Sequence, residues 1–228
     1  MRFFMTLNFG NGISFPTWLH RPWWQARGIT PSTCVAAYQP KGARDLASSY
    51  INLANPGTYN AAPGTAPTWD VVNGWKFLGS SSQYLTTGIV VSVGWSIVVR
   101  FSNWSVLSTY LFGAYDGATT TIVGICPWNR NTPDITNAFW NGKIINRGII
   151  VGTSGVYTIS GANCYANGMA DGTLINAFAP TNALYISALN KDGVATFLGT
   201  GYIQAFAIYN TTLIAAQVLA VTNAMNLL

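Results

Sequence analysis

Apolar and polar positions alternate with period two along most of the chain, and the cleanest run lies near its end. In GYIQAFAIY, residues 201–209, Tyr202, Gln204, Phe206 and Ile208 fall on one side of a strand and Ile203, Ala205, Ala207 and Tyr209 on the other. Asn210 stops the run. Thr211 or Thr212 is then placed to cap a helix over 212–224, in which Leu213, Ala216, Gln217, Leu219, Ala220 and Met225 recur at helical spacing. Upstream, the same alternation predicts short strands at 35–39, 76–78, 84–86, 95–101, 110–114, 120–125, 138–140, 143–145, 149–151, 156–160 and 183–188. The stretch 43–68, rich in Ala, Asn, Gly and Pro, reads as an ordered surface loop. Many short strands broken by Gly and Asn turns predict an all-β fold, a two-sheet antiparallel jelly-roll sandwich closed by one short helix.

Residues 1–33 break this pattern. They hold three of the nine tryptophans, three of the seven arginines, the sole histidine and three prolines, with neither helical nor strand period. The segment reads as an N-terminal arm preceding a jelly-roll domain over 34–228. Phe3, Phe4, Trp18, Trp23 and Trp24 carry too much apolar area for a solvated tail, and Arg21 and Arg27 beside them are interface donors. The arm packs on its own sandwich, on another copy of the chain or on a larger assembly. The assembly contact is the expectation adopted, with further copies or capsid and tail proteins as partners.

Composition sharpens this. Of 228 residues 50% are hydrophobic and only 7% charged, against about 25% charged in an average soluble protein. Twenty Asn and twenty-four Thr carry the polar load. Such a surface fits β faces built from Thr, Ser and Asn, and also a surface largely covered by other subunits. The net charge of +5 is spread from Arg2 to Lys191 without a basic run, which argues against nucleic acid. The apolar stretch 89–99 is interrupted by Ser92, Gly94 and Ser96 and is shorter than the roughly 20 residues that span a bilayer, so no membrane insertion is expected. Asn8, Gly10 and Asn11 break the leading apolar run before a secretory signal is complete. Cys34, Cys126 and Cys164 lack metal-type spacing and read as buried thiols.

Several motifs add a family resemblance. The Gly-aromatic-Ile strand ending in Ile-Tyr-Asn and running into Thr-Leu, residues 201–213, resembles the closing element of the laminin G-like branch of the concanavalin A-like lectin and glucanase jelly rolls. WKFLGSSSQYLTTG, residues 75–88, resembles that family's early hairpin, WSIVVRFS its central core strand, and the Tyr-x-Asn-Gly turn at 165–168 one of its later hairpins.

The resemblance brings expectations about chemistry. Glucanases of this superfamily carry a Glu-x-Asp-x-x-Glu strand, since two carboxylates must flank a glycosidic bond, and this chain has no glutamate. His20 alone, in the arm, offers no base for a nucleophile, and the six aspartates sit apart in turn contexts. The expectation is therefore a protein that is not an enzyme. Relatives bind calcium at a rim of the sandwich, which makes Asp116 and Asp171 weak candidate ligands in a chain otherwise expected to need no cofactor. Two roles remain open. One is a virion structural or surface-display protein of bacteriophage type, the other an extracellular glycan-binding module whose sugar contacts are Trp128, Asn129, Arg130, Asn137 and Trp140.

Overall fold

The structure is a computed structural model that describes residues 7–9, 13–15, 21–26, 28–105, 108–127, 136–140, 143–147, 153–175 and 178–228. Along the chain run β1 (Leu7–Phe9), β2 (Ile13–Phe15), β3 (Cys34–Tyr38), α1 (Leu46–Ser49), β4 (Ala62–Thr65), β5 (Thr68–Asp70), β6 (Gly74–Phe77) and β7 (Tyr84–Thr86). There follow β8 (Ser96–Ser102), β9 (Phe112–Asp116), β10 (Thr121–Cys126), β11 (Thr136–Trp140), β12 (Lys143–Arg147), β13 (Gly155–Ser160), β14 (Asn163–Ala166) and β15 (Met169–Thr173). The last elements are β16 (Tyr185–Ile186), β17 (Leu189–Lys191), β18 (Val194–Thr196), β19 (Gly201–Tyr209) and α2 (Ala215–Asn226).

Two sheets face each other. The first has the order β12-β11-β10-β9-β16-β7-β4, with the β17–β18 hairpin joined to β9, and the second β15-β14-β13-β8-β19-β6-β5, with β3 also paired to β19. Among the described residues all pairings in these sheets are antiparallel except β17 on β9. Between the sheets lies a core of Trp75, Phe77, Leu85, Phe112, Trp140, Phe206 and their neighbours. The far side of the second sheet is buried as well, under α2 and residues 23–34, in a cluster that includes Val98, Ala207, Tyr209, Val218 and Met225. Burial on both faces explains why β8 reads SIVVRFS, with an unbroken apolar run at its centre instead of a clean alternation.

Local geometry departs from the expected pattern at four places. The alternation in β19 is not strict: a bulge between Ile203 and Ala205 puts Ile203 on the inter-sheet side with Phe206 and Ile208, and Ala205 on the helix side with Ala207 and Tyr209. The helix begins at Ala215, and its first turn is held by the Gln217 side chain accepting from the Ile214 N–H (3.0 Å), while Thr212 donates its hydroxyl to Gly94 O. Its buried face is Val218, Val221, Thr222 and Met225, and Leu219 is exposed. The strands of residues 75–88 do not form a hairpin, since β6 lies in the second sheet and β7 in the first. The stretch 43–68 is not all loop. Asp45 caps α1 by accepting from the Ser48 N–H (2.7 Å), and buried Asn52 accepts from Ala37 N–H and donates to the Val35 and Thr58 carbonyls. The Tyr-x-Asn-Gly turn joins β14 to β15, with φ of 51° at Asn167 and 80° at Gly168, the left-handed pair that a two-residue hairpin requires. The strand expected at 149–151 lies outside the described residues.

Candidate functional site

The second sheet spends much of its outer face on the helix, whereas the first carries aromatic rings on its outer face. In β7, Leu85 enters the core and so turns Tyr84 and Thr86 outward; in β16, Ile186 enters the core and turns Tyr185 outward. Register sets Tyr185 opposite Thr86, which makes Tyr84 its diagonal neighbour. The two rings stack, with centroids 4.8 Å apart and planes at 30°. Tyr84 leans across the edge strand, because a Cβ at Gly64 would lie 2.0 Å from its ring. Burial raises the Tyr185 phenol above its ordinary value, and the neighbouring Tyr84 adds to the shift.

Next to this pair, β9 presents Gly113 and Tyr115. Leu189 and Tyr110 cover Gly113, where a Cβ would stand 2.7 Å from Leu189 and 3.1 Å from Tyr110, and Phe197 tilts on Tyr110 at 6.0 Å. Lys191 holds its ammonium 5.9 Å from the centre of the Tyr115 ring. Beyond Tyr115 the surface ends in a polar rim. There Thr181 donates its hydroxyl to Asp116 Oδ2 (2.7 Å), Gly117 donates its N–H to Asp192 Oδ1 (2.9 Å), and Asn182 donates to Tyr115 O (2.6 Å) and Asp192 Oδ1 (3.3 Å). The Thr181 hydroxyl, with the N–H groups of Thr119 and Ala118, holds the Asp116 carboxyl below the usual carboxylate range. The result is a sheet face with a tyrosine stack, a cation over a third tyrosine, and fixed amide and carboxylate groups at one end.

Of the residues singled out from the sequence, Asp116 alone among those described lies in this rim. Trp140 is fully buried and donates its indole N–H to Phe178 O (2.8 Å), so it packs in the core and offers no ring to a sugar. Asn137 lies in β11 opposite Cys126 and Asn146, while Trp128, Asn129 and Arg130 lie outside the described residues. Phe3, Phe4, Trp18 and Arg27 lie outside them too, and Arg21 is exposed. Trp23 and Trp24, expected at an assembly contact, are used within the domain. Trp23 is buried and donates to Gln39 Oε1 (2.9 Å), Trp24 meets it edge-on at 5.5 Å, and Trp24 O accepts from the Tyr209 hydroxyl. Asp116 and Asp171 stand on different sheets, the latter accepting from the Tyr157 hydroxyl. Among the described residues no group of three or more His, Cys or Asp side chains converges to hold a metal ion. Tyr84, Tyr185, Tyr115 and Lys191 were not singled out from the sequence, although the core residues Leu85 and Ile186 between them are the signal that turns two of these tyrosines outward.

No family model and no curated protein matches the chain. Solved structures do. A Trypanosoma rangeli sialidase in complex with sialic acid aligns with a TM-score of 0.61 and 13% identity over 86% of this chain and 33% of its own. A mutant of that sialidase displaying trans-sialidase activity aligns at 0.60 and 13%, over 86% and 34%. Domain 4 of a GH43 extracellular arabinanase from Geobacillus stearothermophilus, in complex with arabinotriose, aligns at 0.55 and 16%, over 83% of this chain and 98% of that domain. The chain spans about a third of the length of the sialidases it matches. At these identities the likeness is one of fold alone, a two-sheet β-sandwich. It also overturns the expectation that the chain is not an enzyme, because these structural neighbours are sialidases and part of an arabinanase. Lack of a Glu-x-Asp-x-x-Glu strand removes one arrangement of catalytic carboxylates, not a place among glycoside hydrolases.

Proposed function

We propose that the chain is a glycan-binding domain that takes a saccharide on the outer face of its first sheet. The observation that carries this reading is the Tyr84–Tyr185 stack, half-buried and outward-facing, beside Tyr115 and Lys191. A pyranose or furanose ring has an apolar C–H face and a rim of hydroxyls. Tyrosine rings match the first, and the Lys191 ammonium, the Thr86 hydroxyl and the Asp192 carboxylate match the second. The arabinanase domain solved with arabinotriose supports the reading, since it aligns over nearly its whole length. Within a longer glycan-cleaving protein, such a domain would hold the polymer near a catalytic centre and raise its effective concentration there. Among concanavalin A-like sandwiches, the closing strand and helix favour the laminin G-like branch. The virion structural reading rested on the sparse charge, the incomplete secretory signal and the lack of glutamate as well as on the aromatic arm, of which Trp23 and Trp24 pack within the domain.

Titration calorimetry with arabinotriose and with sialic acid tests the proposal. At least one should bind, and Tyr84→Ala and Tyr185→Ala should each weaken it about tenfold, or about 1.4 kcal/mol, with the fold retained. Binding that neither substitution alters would place the sugar elsewhere and overturn the assignment.

A further inference from the structure

The outer face of the second sheet is not wholly covered by the helix. In β6, Trp75 and Phe77 enter the core, which leaves Lys76 facing outward and exposed. Register puts Lys76 opposite Tyr202 and Tyr202 opposite Ser102, two residues beyond Arg100 on the same face of β8. Arg100 marks where the helix ends, for its guanidinium donates to Met225 O and Leu228 O. Lys41 is pinned beside it. Its N–H donates to Gln204 O (3.3 Å), at the β19 bulge, and its loop closes down only because position 74 is glycine: φ there is 84°, and a Cβ would stand 2.5 Å from Ile203 O and 3.1 Å from Lys41 N.

Lys41, Lys76 and Arg100 thus share a strip about 10 Å across, the width of two strand spacings, around the half-buried Tyr202. Neither lysine is joined to an acid by an ion pair among the described residues, where the one ion pair is Arg44 with Asp45, while Arg100 is held by Met225 O and Leu228 O. Asp70, on the neighbouring edge strand, has its carboxylate occupied by the N–H groups of Val72 (2.9 Å) and Asn73 (2.7 Å). The proximity has a cost: burial, and then repulsion from Arg100, lower the Lys41 pKa below its ordinary value. The residues flanking Lys41 in sequence, Gln39 and Gly42, line a groove of about 480 Å³ together with Arg44, Ile51 and Leu53 among others, within the size range of small-ligand sites.

We propose that this strip is a second binding site, separate from the tyrosine stack, which takes the anionic group of a saccharide, a carboxylate or a sulfate, on Lys41 and Lys76 with Tyr202 against the sugar ring. An anion there relieves the repulsion between Lys41 and Arg100, and the adjoining groove has room for a further sugar unit. A nucleic-acid ligand fits less well, because three cations around one tyrosine make a short site and not a phosphate-tracking path.

The test uses the full chain, with polygalacturonate as the carboxylate probe, dextran sulfate as the sulfate probe, and duplex DNA as the competing polyanion. One of the two saccharides should bind, more weakly as salt rises. The double variant Lys41→Gln/Lys76→Gln should lower its affinity about tenfold, with Tyr202→Ala acting in the same direction and an unchanged melting temperature confirming the fold. Tyr84→Ala should leave this binding as it is, so failure here and failure of the first-sheet site are separately visible. Which saccharide binds identifies the anion. The proposal is overturned if neither binds, if the double variant binds as the parent does, or if duplex DNA binds at least as tightly as the better saccharide.

Discussion

The hydroxyl of Tyr209 donates to the carbonyl oxygen of Trp24 at 3.0 Å and ties the last strand to the segment that precedes β3. Around this bond, Trp23 and Ile29 share a cluster with Cys34, Val218, Val221 and Met225. Gly28 O accepts from the Gln217 side chain, and Thr33 O accepts from Asn210 N–H. Residues 21–33 therefore complete the packing of the helix against the second sheet.

Removing residues 1–33 should accordingly destabilise the domain and expose an apolar face, with a lower melting temperature and increased dye binding. Trp23→Ala alone should cost about 3 kcal/mol, in the range for large core aromatics. A truncated chain that melts with the parent would show that these contacts add nothing.

Alkali should unfold the protein through its buried acids. Burial pushes the Cys34 thiol from an ordinary 9.0 up to about 12, and raises the phenols of Tyr38, Tyr110 and Tyr209. A raised folded-state pKa gives stability that is fully present below the unfolded value and lost as pH rises toward the folded one. The melting temperature should hold to about pH 9 and then fall. Phenolate absorbance from these tyrosines should rise with unfolding and not before it. Tyr38→Phe should flatten the fall, and because it forfeits the hydrogen bond to Tyr59 O it should also lower the plateau.

Acid acts with the opposite sign. Asp116 and Asp45 are both held below the usual carboxylate range, the first chiefly by the Thr181 hydroxyl and the second by Ser48. Depressed values give stability that is present above the ordinary carboxylate range and lost as pH falls through the folded-state values. Melting curves should therefore drop below about pH 4. Asp116→Asn should melt lower at pH 7 and change less across that acid window. An identical acid slope in the variant would remove Asp116 from the account.

The sheets were legible in the sequence where a strand buries one face or follows strong turn chemistry. Tyr84–Thr86 is one case, and the Asn167-Gly168 hairpin is another. Where burial is two-sided, periodicity carries less information, so the bulge that flips β19 at Gln204 left no mark in its alternating residues. In β4 the residues APGT are all exposed and leave no apolar alternation to read. The candidate site was hidden for a different reason. Tryptophan in a loop-rich stretch drew attention to Trp140, yet large aromatics gain most by burial, and the rings that make the stacked pair on the outer face are tyrosines, each with a polar end.

Gly64 offers the sharpest test of the tyrosine face, because it acts on Tyr84 without touching the core. An added Cβ would lie 2.0 to 2.4 Å from two ring atoms and the hydroxyl oxygen of Tyr84, a contact relieved only if the ring swings away from β4 and off Tyr185. Since β4 is an edge strand with exposed residues, the fold should absorb the change with a small shift in melting temperature. Gly64→Ala should then lower affinity for the bound saccharide nearly as much as Tyr84→Ala, and should weaken the near-ultraviolet circular dichroism of the stacked pair. Gly57→Ala is the control. Its φ of 88° strains an alanine, but nothing lies within 4 Å of the added carbon, so binding should stay at the parent value. If Gly64→Ala perturbs the dichroism and leaves the affinity intact, the stack is not where the sugar sits.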